Sequence, residues 1–156
     1  MRYLFVLLTA LLLWAAPAAA DDKAEVGALL RARIDKVVTL LQDKSLDKVS
    51  RNDQILAIVD PLFNYPTMAK LSLGKKHWPG LSAEQQASFS ELFIARLQQS
   101  YLDKLDIYSD EKVSYGEPEA KGSQVYAPTT LLSADSKIEI LYKFYRTELG
   151  WKIYDV

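Results

Sequence analysis

The segment that decides the fold is K-I-E-I-L-Y-K-F-Y-R, residues 137–146. Its side chains alternate in character along the chain. The apolar residues of one face are Ile138, Ile140, Tyr142 and Phe144, and the other face carries Glu139, Lys143 and Tyr145. A period of two in β-branched and aromatic residues is typical of a strand with one buried face. The segment therefore predicts a long strand that packs one side against a core.

Three further strands are predicted around this segment, at residues 112–115, 125–132 and 151–156. The residues between the strands are rich in Gly, Pro, Ser and Asp, and the separators are short. Short separators favour antiparallel neighbours, because parallel strands need long crossover connections. We expect an antiparallel meander in the second half of the chain.

Four helices are predicted before the strands, because apolar residues recur there at steps of three and four. The first spans Ala24 to Leu41, and the second starts with Asn52-Asp53 as its cap. The third runs from Pro66 to about Leu73 and ends at Gly74. The fourth begins at the capping box Ser82-Ala83-Glu84-Gln85. Its apolar face consists of Phe89, Leu92, Phe93, Leu97, Tyr101, Leu102 and Leu105.

Helices followed by strands predict an α+β fold, with the N-terminal helices packed on one face of a C-terminal antiparallel sheet. The strand half also carries many tyrosines, at positions 115, 126, 142, 145 and 154. A tyrosine-rich sheet opposite an aromatic helix is compatible with an enclosed apolar cavity. Because aromatic residues favour strands in any case, a dry core fits the same pattern.

Residues 1–20 have the features of a secretory signal peptide. Arg2 precedes an apolar run, and Pro17-Ala18-Ala19-Ala20 supplies small residues before Asp21. The run is too short and too cleanly terminated for a membrane anchor. We expect cleavage after Ala20 and a single exported domain over residues 21–156, which in a bacterium means the periplasm.

The composition excludes several classes of function. The chain has 19 Lys+Arg and 20 Asp+Glu, which is not the basic balance of a nucleic-acid binder. It has no cysteine, so disulfides, thiolate metal sites and cysteine nucleophiles are excluded. His77 is its single histidine. Because no nucleophile elbow, P-loop or dinucleotide fingerprint occurs, we predict no catalytic site, no metal and no cofactor.

Three blocks of sequence resemble the toluene-tolerance (MlaC) family of periplasmic phospholipid-binding proteins. F-N-Y-P-T-M-A-K-L-S-L-G-K-K-H-W, residues 63–78, is similar to that family's F-D-[FY]-x-x-M-A-x-x-x-L-G-K-x-W stretch. The helix after Ser82 and the final G-W-K-I-Y-D-V, residues 150–156, also match family patterns. The blocks occur in the family's order and at its spacing. Asn64 stands where the family often has Asp, which puts a charge-dependent role of this position in doubt.

The resemblance implies a carrier of phospholipid in the system that maintains outer-membrane lipid asymmetry. Its partners would be an inner-membrane ABC transporter complex with a ring-forming substrate-binding protein, and an outer-membrane lipoprotein–porin complex. The expected tail-binding residues are Met68, Leu73, Trp78, Phe89, Phe93, Leu97, Tyr101, Val125, Ile140, Tyr142, Phe144 and Ile153. Those expected at the head-group or partner rim are Lys70, Lys75, Lys76 and His77.

Three alternatives remain open at this point. The cargo could be another lipid, such as a hopanoid. A small enzyme on a cone-shaped α+β fold would require an acidic residue facing the cavity, and no obvious one lies on the predicted faces. An adaptor protein with a dry core would bind no lipid. Because family members usually continue beyond Y-D-V, we also expect a truncation after Val156.

Overall fold

The computed structural model describes residues 18–105, 112–132 and 137–156. Its helices are α1 (Ala18–Gln42), α2 (Lys48–Val59), α3 (Tyr65–His77) and α4 (Ala83–Leu105), with 3₁₀ turns at Asp60–Leu62 and Trp78–Gly80. Its strands are β1 (Lys112–Tyr115), β2 (Glu119–Lys121), β3 (Gln124–Leu132), β4 (Lys137–Thr147) and β5 (Gly150–Asp155). The helices precede the strands, and the predicted α+β fold is confirmed.

The five strands form one antiparallel sheet in the order β1-β3-β4-β5, with β2 also pairing with β3. The predicted meander is therefore confirmed, with β2 as an addition. This strand has only three residues, all exposed, so it produces no periodic pattern that sequence reading could detect. The β4–β5 ladder carries a register shift between Lys143 and Phe144.

The core lies between α1 and the face of the sheet that carries Phe144. Phe144 is 0% exposed and pairs with Val125 on one side and Ile153 on the other. Val26 and Leu30 of α1 complete this cluster. The predicted alternation of β4 is thus confirmed, because burial of one face removes its apolar side chains from water.

An ion-pair group fastens the start of α1 to the same face of the sheet. The guanidinium of Arg146 donates to Asp22 Oδ1 at 2.8 Å and to Glu25 Oε2 at 2.5 Å. It also lies 4.7 Å from the centre of the Trp151 ring. These contacts hold α1 across the end of the sheet at which the core is closed.

The start of α2 differs from the prediction. Asp47, not Asn52-Asp53, caps α2, because its Oδ1 accepts hydrogen bonds of 3.0 Å from the backbone N–H groups of Val49 and Ser50. The predicted stop at Gly74 is confirmed, because this residue is non-helical with φ 67° and ψ 179° and divides α3 into two helical segments. Only glycine adopts that conformation readily.

The capping box of α4 is confirmed. The backbone N–H of Ser82 donates to Gln85 Oε1 at 2.9 Å, and the N–H of Gln85 donates to Ser82 Oγ at 3.2 Å. Two predictions concern positions outside the described residues, namely most of the signal peptide and the short separator at 133–136 between two predicted strands. Across the described ranges, no helix has both the length and the apolar character needed to cross a membrane.

Candidate functional site

The most unusual element is α4, whose apolar row stays half-buried along its whole length. The row repeats every fourth residue and consists of Phe89, Phe93, Leu97, Tyr101 and Leu105. None of the 23 residues of α4 is fully buried. Leu92 was predicted on this face but is 69% exposed, because it lies beside the row. A long helix with an apolar row and no buried residue has apolar surface available for a ligand.

Aromatic contacts extend this row from Phe93 and Phe89 to Trp78, which precedes α4 in the chain. The rings of Phe89 and Phe93 stack with centroids 6.1 Å apart, and Trp78 meets Phe89 edge-on at 6.4 Å. The structure therefore brings together three of the predicted tail-binding residues. Leu73 of α3 is half-buried and Met68 is buried.

The far end of α4 is joined to the edge of the sheet through the segment 60–65. The ring of Tyr101 stacks on Phe63 at 5.8 Å, and Phe63 forms a parallel bridge with Ile153 of β5. The amide of Gln98 donates to Asp60 Oδ2 at 2.8 Å, and the hydroxyl of Tyr65 donates to Asp60 Oδ1 at 2.5 Å. These contacts set the position of α4 relative to β5.

The sheet supplies a second apolar surface, whose side chains become more exposed along β4 from Phe144 towards Ile138. Phe144, Tyr142, Ile140 and Ile138 share one face, and exposure rises from 0% at Phe144 to 51% at Ile138. Tyr142 packs against the closed core, and Ile140 is half-buried. The face is therefore sealed at one end and accessible at the other.

Three of the predicted tail-binding residues lie in the sealed part. Val125, Phe144 and Ile153 are at most 1% exposed and belong to the cluster that α1 covers. Two surface concavities of about 380 and 340 Å³ flank α1, one towards α2 and one towards β1. No predicted tail-binding residue lines either of them.

The hydroxyl groups near the core end of α4 stay uncharged at neutral pH. Burial raises the pKa of Tyr101 to about 12, and burial also raises the pKa of Tyr142. For Tyr65, burial and the hydrogen bond to Asp60 raise the pKa well above its usual value. Desolvation disfavours the phenolate, so these three rings stay uncharged well above neutral pH.

Positive charge gathers where the aromatic row begins. Lys70, Lys75, Lys76 and His77 are all exposed, and the last three form the final turn of α3 immediately before Trp78. Their positions are compatible with the predicted rim. Within the ranges that the structure describes, no group of three or more acidic or histidine side chains could hold a metal ion.

Four residues of the site were absent from the predicted set: Asp60, Phe63, Tyr65 and Gln98. Phe63 and Tyr65 lie in the block that resembles the family pattern, so that block could have pointed to them. Gln98 is a polar residue next to Leu97, and no periodicity distinguishes it from a solvated glutamine. Only its contact with Asp60 shows its role.

A solved structure shares this fold, and a family model matches most of the chain. No curated protein matches the chain. It is similar to the solved structure of a phospholipid-binding protein from Ralstonia solanacearum in complex with a phospholipid, with a TM-score of 0.67 and 21% sequence identity. The match covers 83% of this chain and 75% of the other, and at this identity it shows the shared fold. The family model described as MlaC protein matches residues 31–156. The chain therefore belongs to the MlaC family.

Proposed function

We propose that this protein carries a phospholipid, with the acyl tails held between the apolar row of α4 and the open part of the sheet face. The observation that carries the proposal is that α4 keeps its whole apolar row half-buried. In a close-packed domain of this size, such a row would be covered by protein. A bound acyl chain would cover it instead.

The energetics support this arrangement. Burial of one CH₂ group is worth roughly 0.8 kcal/mol, so a chain of ~16 carbons gains roughly 13 kcal/mol when it is encased. A similar amount is required to extract the lipid from a bilayer. Loading and release are then nearly balanced, and an ATP-driven partner can set the direction of transfer.

The proposed tail-binding set follows the geometry. Trp78, Phe89, Phe93, Leu97 and Tyr101 form the helical wall, and Ile140 and Tyr142 form the sheet wall. We leave out Val125, Phe144 and Ile153, which are sealed under α1. The two lysines of the exposed turn, Lys75 and Lys76, would meet the phosphate of the head group with His77 beside them, since ammonium groups pair with phosphate oxygens.

We further propose that the protein acts in the periplasm as a single domain over residues 21–156, without catalytic activity. Membership of the MlaC family supports a binding role. The proposed partners are the inner-membrane ABC transporter complex with its ring-forming substrate-binding protein, and the outer-membrane lipoprotein–porin complex. A near-neutral shuttle that visits both would bind each of them weakly.

Organic extraction of the purified protein, followed by mass spectrometry, tests the proposal. We expect about one phospholipid molecule per chain. A polycyclic lipid in its place would identify a different cargo, and the absence of stoichiometric lipid would identify an adaptor with a dry core. The last result would contradict the carrier function.

Two matched variants locate the site. Leu97→Asn places an amide on the half-buried row, and Leu92→Asn makes the same change in the same helix at a position that is 69% exposed. An amide buried against acyl chains without a partner costs ~1–3 kcal/mol, so Leu97→Asn should lower lipid occupancy by about tenfold. Leu92→Asn should keep wild-type occupancy. Equal occupancy in both variants, with unchanged circular dichroism, would remove α4 from the site.

A further inference from the structure

Three stacked aromatic rings lie where α4 meets the core. The rings of Phe63 and Tyr65 stack with centroids 5.4 Å apart and planes inclined by 14°. Phe63 also stacks on Tyr101 of α4, at 5.8 Å. Both Phe63 and Tyr142 of β4 pack against the core cluster that α1 covers. We call these four residues, Phe63, Tyr65, Tyr101 and Tyr142, the aromatic floor.

Hydrogen bonds hold the aromatic floor in place. The backbone N–H of Asn64 donates to the carbonyl oxygen of Ile153 at 2.8 Å, directly beside the bridge that Phe63 forms with the same strand. The hydroxyl of Tyr142 is hydrogen-bonded to the side chain of Thr129, which is 3% exposed. Because backbone pairing and buried hydrogen bonds fix these rings, a ligand that presses on the floor meets a rigid surface.

The distance along α4 to the aromatic floor is close to the length of a membrane acyl chain. Phe89 and Tyr101 are twelve residues apart in one helix, which is about 18 Å at a rise of 1.5 Å per residue. The hydrocarbon core of a bilayer is about 30 Å thick, so the tails of one leaflet span about 15 Å. A tail that starts beside Phe89 therefore reaches the floor with its terminal methyl group.

We propose that the aromatic floor closes the space between the apolar row of α4 and the sheet, and thereby limits the length of the acyl chains that the protein takes up. The inference rests on the proposed carrier function and specifies its substrate class, phospholipids with tails no longer than those of ordinary membranes. Behind Tyr142 lies Phe144, which is 0% exposed, so the core has no room for further methylene groups.

The energetics predict a cutoff in chain length. Removing a CH₂ group from a bilayer costs about as much free energy as burying it in the protein gains, so uptake from vesicles should not depend on length among tails that fit. A CH₂ group that finds no place in the protein still has to leave the bilayer. Each such group should lower uptake by about fourfold, which corresponds to roughly 0.8 kcal/mol.

Competition between phosphatidylglycerols that differ only in chain length tests the proposal. Lipid-free protein is incubated with vesicles that contain equal amounts of the myristoyl, palmitoyl, stearoyl, arachidoyl and behenoyl species, and the bound lipids are quantified by mass spectrometry. The wild type should take up the shorter species equally. It should take up the longest species at least tenfold less, because several methylene groups would be left outside.

Two substitutions should move the cutoff in opposite directions. Tyr101→Leu shortens a side chain of the floor and keeps it apolar, so the longest species should gain about tenfold relative to the wild type. Leu97→Trp adds a ring one helical turn before the floor, so the cutoff should shift to shorter species. Leu92→Trp places the same ring at a position that is 69% exposed and should keep the wild-type cutoff.

The outcomes separate the chain-length limit from the carrier function. A wild type that takes up all species equally would overturn the limit and leave the carrier function standing. The same holds if Tyr101→Leu and Leu97→Trp, folded by circular dichroism and loaded with lipid, both keep the wild-type cutoff. A wild type that takes up no lipid of any length would contradict the carrier function, and the limit with it.

Discussion

The side-chain amide of Gln98 donates a 2.8 Å hydrogen bond to Oδ2 of Asp60. This bond joins α4 to the 3₁₀ turn Asp60–Leu62, which leads directly into Phe63, the residue that bridges to β5. Tyr65 donates to the other carboxylate oxygen. Asp60 thus links α3 and α4 at one point. The relationship matters because α4 has no buried residue to hold it in place.

Replacing Gln98 by Ala should loosen α4. A hydrogen bond to a charged group contributes about 1.5–3 kcal/mol to stability, and partial exposure places this one at the lower end. We expect a loss of roughly 1.5 kcal/mol in urea unfolding, with faster hydrogen exchange in α4. Gln99→Ala removes an exposed bond of 2.7 Å to Asp103 within the same helix, so it should cost no more than about 0.5 kcal/mol. Equal losses in the two variants would contradict a special role for Gln98.

The substitution Ile140→Trp distinguishes between two environments for this residue, an open cleft and a packed core. The side chain is half-buried at the accessible end of the sheet face, so a larger ring has room in the lipid-free protein. We expect an unchanged melting temperature without lipid and a sharp fall in co-purified lipid. Ala127→Leu overpacks the sealed core and should cost roughly 1–3 kcal/mol. A similar cost for Ile140→Trp, with normal lipid content, would place Ile140 in the core.

Charge reversal at Lys75 and Lys76 should impair lipid delivery. Both side chains are exposed in the last turn of α3, so changing them to Glu should leave the fold intact. Transfer between reconstituted donor and acceptor complexes should fall, because the rim would repel phosphate or an acidic partner. The double variant Lys44→Glu/Lys104→Glu makes the same change in net charge elsewhere and serves as the control. Identical transfer rates for the two double variants would exclude these lysines from the rim.

Gly74→Ala should destabilise the kink of α3. A Cβ at this position meets no atom within 4 Å, so the cost comes from the backbone alone. The conformation at φ 67° and ψ 179° is accessible almost only to glycine, and we expect a loss of roughly 1–3 kcal/mol. Gly80→Ala, which also meets no atom but has no positive φ, should change stability by less than about 0.5 kcal/mol. Thermal unfolding of both variants makes the comparison.

Alkaline pH should weaken the fold partly through Tyr101. Its pKa is about 12 in the folded protein, raised by burial from an ordinary value of 10.0. Below pH 10 the hydroxyl is protonated in both states, so its contribution to stability is fully present. Between pH 10 and 12 the unfolded chain loses the proton first, so the free energy of unfolding falls. Tyr101→Phe should reduce this slope in urea titrations at each pH, and an unaltered slope would show that Tyr101 ionises alike in both states.

The sequence alone predicted the order of elements, the faces of β4 and the start of α4. These features depend on local rules: the period of side-chain alternation, and a capping box that closes two hydrogen bonds within four residues. Both Asp47 and Asn52-Asp53 are residue types that cap helices, and the local rule chose Asn52-Asp53 for α2, whereas Asp47 is the cap in the structure. Family blocks pointed to the region between Phe63 and Trp78, but not to Gln98.

Only the tertiary structure decided which part of the apolar sheet face is open. Periodicity places Phe144 and Ile140 on the same face and cannot separate them. The separation arises because α1, held by Arg146 to Asp22 and Glu25, crosses the sheet over Phe144 and leaves Ile138 and Ile140 less covered. Coverage of a face depends on where a distant helix is anchored, and the spacing of residues within a strand carries no information about that anchor.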